Sequence, residues 1–110
     1  MIEKYKIFKV LSSDIRLKIF QFLLDGKMCV SGIMDKLNVT QPTVTQHLKI
    51  LQEIGLVKSE KSGYWMHYSI DEEGLSKIKN EILEFVSNMQ VQQKKCCINA
   101  LKCPEKHQTK

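Results

Sequence analysis

The sequence predicts a mostly α-helical fold with one β-hairpin. Five segments repeat apolar residues at intervals of three and four, which is the spacing of one helix face. One further segment alternates its side chains over residues 64–70, as a paired strand does. At 110 residues the chain is short enough for one folded domain, which we assign to residues 1–90. Residues 91–110 are predicted to be a cysteine-containing C-terminal tail.

The first two helices are predicted on either side of a pair of serines. A short helical pattern covers residues 2–11, and the stretch SSDIRLKIFQFLLDG predicts a second helix. Ser12 or Ser13 is its N-cap, because a hydroxyl can accept a hydrogen bond from an unpaired N–H at a helix start. Gly26 is predicted to end this helix.

The third and fourth helices are separated by a turn of a few residues. The third covers VSGIMDKLN, and Asn38 suits the left-handed conformation at its end. The fourth covers TQPTVTQHLKILQEIG, with Thr40 as N-cap and Pro42 in the first turn, where a missing N–H costs nothing. Its inward face is predicted to carry Val44, Leu48 and Leu51. Two short helices joined by a tight turn form a helix-turn-helix pattern.

The outer face of the fourth helix carries polar side chains of the kind that can read DNA. A helix in the major groove presents such residues near its N-terminus. Glutamine can bond adenine twice, and threonine can contact a thymine methyl group or a phosphate. An ordinary helical hairpin with a solvated polar face is the alternative. The predicted DNA-binding residues are Gln41, Thr43, Thr45, Gln46, His47 and Lys49, with Lys61 from the hairpin.

The hairpin follows directly, in the stretch LVKSEKSGYWMHYSI. Its turn is predicted at Lys61–Gly63. A hairpin after a helix-turn-helix is a wing, which would bring Lys58 and the turn lysine near phosphates or the neighbouring minor groove. Tyr64 and Trp65 are interpreted as packing residues and His67 as a solvated side chain. The predicted fold is therefore a winged helix-turn-helix.

A last helix, predicted over residues 72–90, carries an apolar stripe. Its residues recur at alternating intervals of three and four, as in a packing seam. The stripe consists of Leu75, Ile78, Ile82, Phe85 and Met89, with Val86 beside it. We expect a homodimer, since a DNA-reading winged helix usually faces two half-sites. The alternative is that the stripe only covers its own core.

Charge and composition narrow the function. Residues 1–90 contain 12 Lys and Arg against 11 Asp and Glu, whereas residues 91–110 contain five against one. DNA binding is therefore inferred from the motif rather than from net charge. The N-terminus mixes charges with apolar residues and no apolar run approaches membrane-spanning length, so we expect a cytoplasmic protein without a membrane partner. No pattern indicates an enzyme or a small organic substrate.

Three stretches resemble the ArsR/SmtB family of winged-helix, metal-responsive repressors. They are SSDIRLKIFQFL, LNVTQPTVTQHLKILQEIGLV and GYWMHYSI, and the resemblance covers about residues 5–90. The resemblance implies a homodimer that represses an operator and has its first and last helices at the dimer interface. It also implies that an inducer releases the DNA, but family members differ in where that inducer binds.

Two of the family's inducer sites are incomplete in this chain. Members that sense metal through the helix before the recognition helix carry Cys-x-Cys, whereas MCVSGI has Cys29 and Ser31. We interpret Cys29 as a small buried core residue. Zinc sensors of the family use Asp and His on the final helix, and no histidine occurs there. The matching positions are Asp71, Glu73, Glu84 and Ser87.

The remaining site is the tail stretch KKCCINALKCPEK, which holds three of the four cysteines. Cys96, Cys97 and Cys103 are the predicted metal ligands. A straight helix would separate the first and third by about 10.5 Å along its axis, so convergence requires a bent loop. Three thiolates suit trivalent arsenic or antimony. The resemblance to arsenic-responsive members with vicinal cysteines near the C-terminus supports the same inducers.

Other uses of the tail remain open. Cadmium and lead accept thiolate-rich sites, and His107 could complete a Cys₃His zinc site. A redox switch could pair Cys103 with one of the vicinal cysteines, because adjacent cysteines strain a mutual disulfide. The chain could also be a thiol-rich metal buffer or a protein-interaction module that keeps a winged-helix shape, or the cysteines could be incidental in a basic tail.

Overall fold

The structure is a computed structural model that describes residues 3–92. These residues form five helices and three strands, and the two longest helices are the fourth and the fifth. In chain order they are α1 (Lys4–Leu11), α2 (Asp14–Leu24), β1 (Met28–Cys29), α3 (Val30–Leu37), α4 (Gln41–Glu53), β2 (Val57–Ser62), β3 (Trp65–Ile70) and α5 (Glu72–Ser87).

The helix boundaries follow the predicted caps. Ser13 is the N-cap of α2, and its hydroxyl accepts a hydrogen bond from the N–H of Arg16 at 3.3 Å. The Ser12 hydroxyl instead donates to the carbonyl of Lys9 at 2.7 Å, at the end of α1. Asn38 has φ 56° and ends α3 in the left-handed conformation, as predicted. Local sequence signals therefore determine where these helices start and stop.

The core is built from all five helices and the start of the wing. The predicted inward face of α4 is fully buried, and its neighbours are mostly branched aliphatic side chains. Side chains of this kind contribute about 1.5–3 kcal/mol each when they are fully removed from water. The core residues, each at most 3% exposed, are Ile7, Ile19, Leu23, Ile33, Val44, Leu48, Leu51, Leu56, Val57 and Ile78.

The wing is longer than the sequence predicted. β2 and β3 pair from Val57 opposite Ile70 to Ser62 opposite Trp65, so the connecting loop is Gly63–Tyr64. The predicted turn at residues 61–63 is therefore wrong. Gly63 has φ 64°, and a two-residue hairpin loop favours glycine where φ is positive. Because the loop has only two residues, β2 continues to Ser62 and β3 begins at Trp65.

A third strand joins the wing to the start of α3. β1 pairs with the free edge of β3, with Met28 opposite Tyr68 and Cys29 opposite His67, which gives the antiparallel order β1-β3-β2. The interpretation of Cys29 as a core residue is wrong, because its side chain is only half-buried at this edge. The strand has two residues and depends on a distant partner, so its sequence carries no strand pattern.

Helix α5 packs closely on the turn after α4. Asp71 is its N-cap and accepts a hydrogen bond from the N–H of Gly74 at 3.1 Å. A Cβ atom at Gly74 would collide with the carbonyl oxygen of Gly55. The helix ends at Ser87, and Met89 therefore lies beyond the helical part of the predicted stripe.

Candidate nucleic-acid interface

Helix α4 presents a polar outer surface because its fully buried apolar residues lie on the opposite side. Gln41, Thr45, Gln46 and Lys49 are exposed. Val44 and Leu48 lie between them in sequence and are fully buried, so the opposite side of the helix is packed into the core. These four predicted DNA-binding residues therefore share one accessible surface. Their donors and acceptors match those that bases and phosphates offer in a major groove.

Thr43 is less free than its neighbours. Its side chain is half-buried, and its hydroxyl lies 3.0 Å from that of Thr40. Thr40 occupies the N-cap position as predicted, but its side chain makes no capping hydrogen bond to the backbone. The hydroxyl pair instead joins the N-cap to the first turn of α4.

His47 differs from the expectation of a side chain free on the outer face. Its ring is half-buried, and Nδ1 lies 3.1 Å from a terminal guanidinium nitrogen of Arg16. The pKa of His47 is below its ordinary value. Burial is the main cause, and the positive charge of Arg16 adds to it. The partners are 31 residues apart, and no local pattern could have revealed their pairing.

The wing is tied to α4 at its base. The side-chain amide of Gln52 donates to the hydroxyl of Ser59 at 3.3 Å. Lys58 and Lys61 are exposed on β2. Lys61 lies opposite Met66 within the paired strands rather than in the turn.

The tip of the wing carries exposed aromatic side chains. Tyr64 is 100% exposed and Trp65 is 62% exposed, so within residues 3–92 the predicted packing role of both residues is wrong. His67, interpreted as solvated, is half-buried. The exposed aromatic side chains at the hairpin tip add an apolar element to the candidate DNA-binding surface of α4 and the wing.

Cys29 is the N-cap residue of α3 and lies outside the core. Its sulfur is 3.2 Å from the hydroxyl of Ser31. The pKa of the Cys29 thiol is lowered, mainly by this hydrogen bond and further by a backbone hydrogen bond at Gly32. The serine in the family's second cysteine position thus partners the single thiol.

The part of the chain that the structure describes contains no group of three His, Cys, Asp or Glu side chains suited to a metal ion. Asp71, one of the four positions compared with zinc sensors, caps α5. Cys96, Cys97 and Cys103, with His107, lie outside the described residues. The predicted tail site therefore remains a prediction.

A second accessible surface is formed by α1 and the end of α5. The Phe8 and Phe85 rings pack with their centroids 5.5 Å apart, and Lys4 pairs with Glu81 at 3.3 Å. Six large apolar side chains here are at least 40% exposed. We call them the α1/α5 apolar surface: Tyr5, Phe8, Leu83, Phe85, Val86 and Met89. Among the described helices, none has the length and apolar character needed to cross a membrane.

Known proteins share both the sequence and the shape. Residues 13–59 match the family described as bacterial regulatory protein, arsR family. The uncharacterized HTH-type transcriptional regulator MJ1325 of Methanocaldococcus jannaschii is 41% identical over 81 residues, which cover 69% of this chain and 91% of that protein. The arsenical resistance operon repressor of Bacillus subtilis is 33% identical over 85 residues, which cover 76% of this chain and 81% of that protein.

A solved structure gives the same fold. The ArsR-like transcriptional regulator from Rhodococcus sp. RHA1 has a TM-score of 0.67 and 26% identity, and the match covers 76% of this chain and 79% of that one. The family match runs from the N-cap of α2 into β2 and so includes the whole helix-turn-helix. The predicted winged helix-turn-helix is confirmed, and the chain belongs to the arsR family of bacterial transcriptional regulators.

Proposed function

We propose that this chain is a cytoplasmic, homodimeric repressor that leaves its operator when trivalent arsenic or antimony binds Cys96, Cys97 and Cys103. One observation carries the DNA-binding part: α4 exposes a polar surface while its apolar face is completely buried. In a helix-turn-helix this is the arrangement that places side chains in the major groove. The division into a DNA-binding and dimerisation domain over residues 1–90 and an inducer-binding tail over residues 91–110 belongs to the same proposal.

Double-stranded operator DNA would contact two parts of each protomer. Base edges are read by the exposed polar residues of α4, and phosphates are contacted by lysines. Lys61 approaches the backbone from the wing, which the hydrogen bond between Gln52 and Ser59 holds beside α4. The proposed contact residues are Gln41, Thr43, Thr45, Gln46, His47, Lys49 and Lys61.

Dimerisation would cover the α1/α5 apolar surface. Soluble monomers rarely leave a large contiguous apolar patch in water, and this surface contains four residues that are more than half exposed. A twofold axis through α1 and α5 would give each half-site of a palindromic operator one recognition helix.

The inducer is proposed from the chemistry of the tail. Arsenous acid condenses with three thiols, forming three arsenic–sulfur bonds and releasing three water molecules without a net change in protons. The name of the Bacillus subtilis relative, an arsenical resistance operon repressor, supports this choice. Zinc, cadmium and lead are alternatives that use the same thiolates. They would release thiol protons and therefore bind more tightly as pH rises.

A metal-by-metal release assay tests the proposal. The reduced full-length protein is used to select its own operator from a random duplex library, and fluorescence anisotropy then follows release by arsenite, antimonyl, zinc, cadmium or lead. We expect arsenite and antimonyl to release the DNA at the lowest concentrations. Calorimetry in buffers of different ionisation enthalpy separates condensation without proton release from binding of a divalent ion.

Cys103→Ser is the informative variant, and Cys29→Ser is its matched control. We expect Cys103→Ser to bind the operator normally but to stay bound when arsenite is added, whereas Cys29→Ser responds normally. The reverse result would move the inducer site to α3. Release by an oxidant alone, reversed by a reductant, would favour the redox switch. Failure of the reduced protein to select any duplex would contradict the repressor function.

A further inference from the structure

Arg16 is the only arginine in the chain, and its guanidinium makes hydrogen bonds to two other residues of the protein. Its Nε donates to the carbonyl oxygen of Val10 at 2.7 Å. A terminal nitrogen of the same group lies 3.1 Å from Nδ1 of His47. The backbone N–H of Arg16 is bonded to the Ser13 hydroxyl at 3.3 Å, which fixes the residue in the first turn of α2. One side chain thus connects α1, α2 and the recognition helix.

The contact with Val10 closes the end of α1. The last four carbonyls of a helix have no partner within the helix, and Val10 lies in the last turn of α1. A cation is also favoured at a helix C-terminus by the helix dipole. Arg16 therefore does for α1 what a capping residue does, while it reaches α4 at the same time.

The contact with His47 determines where the imidazole proton lies. A guanidinium only donates hydrogen bonds, so Nδ1 of His47 must accept, and a neutral ring then carries its hydrogen on Nε2. Partial burial and the charge of Arg16 both lower the pKa of His47 and favour this neutral form. His47 thus has one remaining polar ring atom, and it is a donor.

We infer that Arg16 is a positioning residue that joins the end of α1 to α4 and fixes His47 as a neutral Nε2–H donor for DNA. This inference rests on the proposed function. A ring in this state can bond acceptors such as a phosphate oxygen or guanine O6 and N7, and it cannot accept from an amino group or add positive charge. The bridge also gives α1, half of the proposed dimer interface, a direct mechanical link to the recognition helix.

Nitrogen-15 NMR of the free full-length protein tests the proton position without DNA. In the wild type we expect the His47 ring to show the pure Nε2–H tautomer. Arg16→Ala should give a mixture of tautomers, whereas Lys18→Ala should leave the ring unchanged. Lys18 is a suitable control, because its substitution removes a positive charge two residues further along α2, where Lys18 pairs with Asp14 at the surface at 3.5 Å. A pure Nε2–H tautomer in Arg16→Ala would overturn the inference.

Operator binding then tests the consequence for DNA. With a duplex selected by the wild-type protein, Arg16→Ala and His47→Ala should each weaken binding about tenfold, and the double variant should be within about twofold of either single variant. Losses that simply multiply would overturn the inference. If Arg16→Ala does not fold, as judged by circular dichroism, Arg16→Lys replaces it in both experiments. Lysine keeps the charge but cannot bond the Val10 carbonyl and His47 Nδ1 together. We therefore expect the same changes in tautomer and in operator binding, but smaller ones.

The outcomes separate this inference from the proposed function. If Gln46→Ala weakens operator binding and the Arg16 and His47 variants do not, the repressor function stands and the inference fails. If no duplex is selected, the proposed function fails, and the NMR result still decides the state of His47. A relaxed preference at one base pair in His47→Ala identifies a base acceptor, whereas equal loss on all sequences identifies a phosphate.

Discussion

The recognition helix α4 and helix α5, the last helix of the described residues, are both amphipathic, but α4 exposes a polar side and α5 an apolar one. Val44, Leu48 and Leu51 of α4 are fully buried, so the accessible side is mainly polar. Helix α5 buries Ile78, yet Leu83 and Val86 are 58% and 51% exposed. The accessible side of α4 can satisfy the hydrogen-bonding groups of DNA. The accessible apolar side of α5 would be stabilised by contact with another apolar surface, so residues 3–92 expose two chemically different surfaces.

The largest effect is expected where α4 is anchored. Leu48→Ala should lower the free energy of unfolding by about 2–5 kcal/mol, because it leaves a cavity in the core. Urea denaturation followed by circular dichroism measures this change. Thr45→Ala on the exposed side of the same helix is the control and should change stability by about 0.5 kcal/mol or less. Equal losses in the two variants would remove the distinction between the anchored and accessible sides of α4.

The next effect concerns the polar side of α4 itself. Gln46→Ala should weaken operator binding by about 1–3 kcal/mol and relax the preference at one base pair. Lys61→Ala should weaken binding to all sequences alike and reduce the salt slope by about one. Titrations of selected and scrambled duplexes at several salt concentrations measure both effects. If both variants bind the selected duplex like the wild type, α4 and the wing do not contact DNA as proposed.

A smaller effect is expected on the apolar side of α5. Leu83→Ala should weaken dimerisation by about 1 kcal/mol per buried side chain and leave the helix content unchanged. Sedimentation equilibrium over a range of protein concentrations measures the dimer dissociation constant. Lys79→Ala, an exposed polar position one turn earlier on α5, is the control. A dissociation constant that Leu83→Ala leaves unchanged would place the dimer interface elsewhere.

The smallest expected effect is the pH dependence of stability due to His47. Its pKa is lower in the folded chain than its ordinary value, so the unfolded chain binds the proton first as pH falls. The free energy of unfolding should therefore decrease as pH falls through about 6.5, where histidine ordinarily titrates. Urea denaturation between about pH 7.5 and pH 5.5 measures the slope, and His47→Gln should flatten it. An identical slope in the variant would assign the pH dependence to other groups.

Local signals allowed much of the fold to be predicted. Ser13, Asn38 and Pro42 occupy the helix-terminal positions that their chemistry favours. The buried stripe of α4 followed from its spacing, because a helix of this length has one side available to a core. The polar side of α4 could then be predicted, because it consists of the residues outside that stripe. Its contacts with DNA are still predictions, as is the cysteine site of the tail.

Features that depend on distant residues could not be predicted. The bond between Arg16 and His47 joins residues that only the folded chain brings together. Strand β1 has two residues and exists because β3 offers an unpaired edge. Cys29 was expected in the core because free cysteines usually are buried, but this added strand holds it at the edge of the sheet instead. The exposure of Trp65 likewise follows from the two-residue loop, which the alternating pattern alone did not locate.

The contact between Gly74 and Gly55 has a consequence for engineering sensors from this scaffold. Backbone meets backbone there, since any Cβ at position 74 would collide with the Gly55 carbonyl. At this point the two nearest atoms belong to the Gly55 backbone, so the collision cannot be relieved by moving a flexible side chain. A C-terminal helix transplanted from another protein to bring a new inducer site must therefore keep a glycine at this position. Otherwise the graft would displace the recognition helix before any inducer is added.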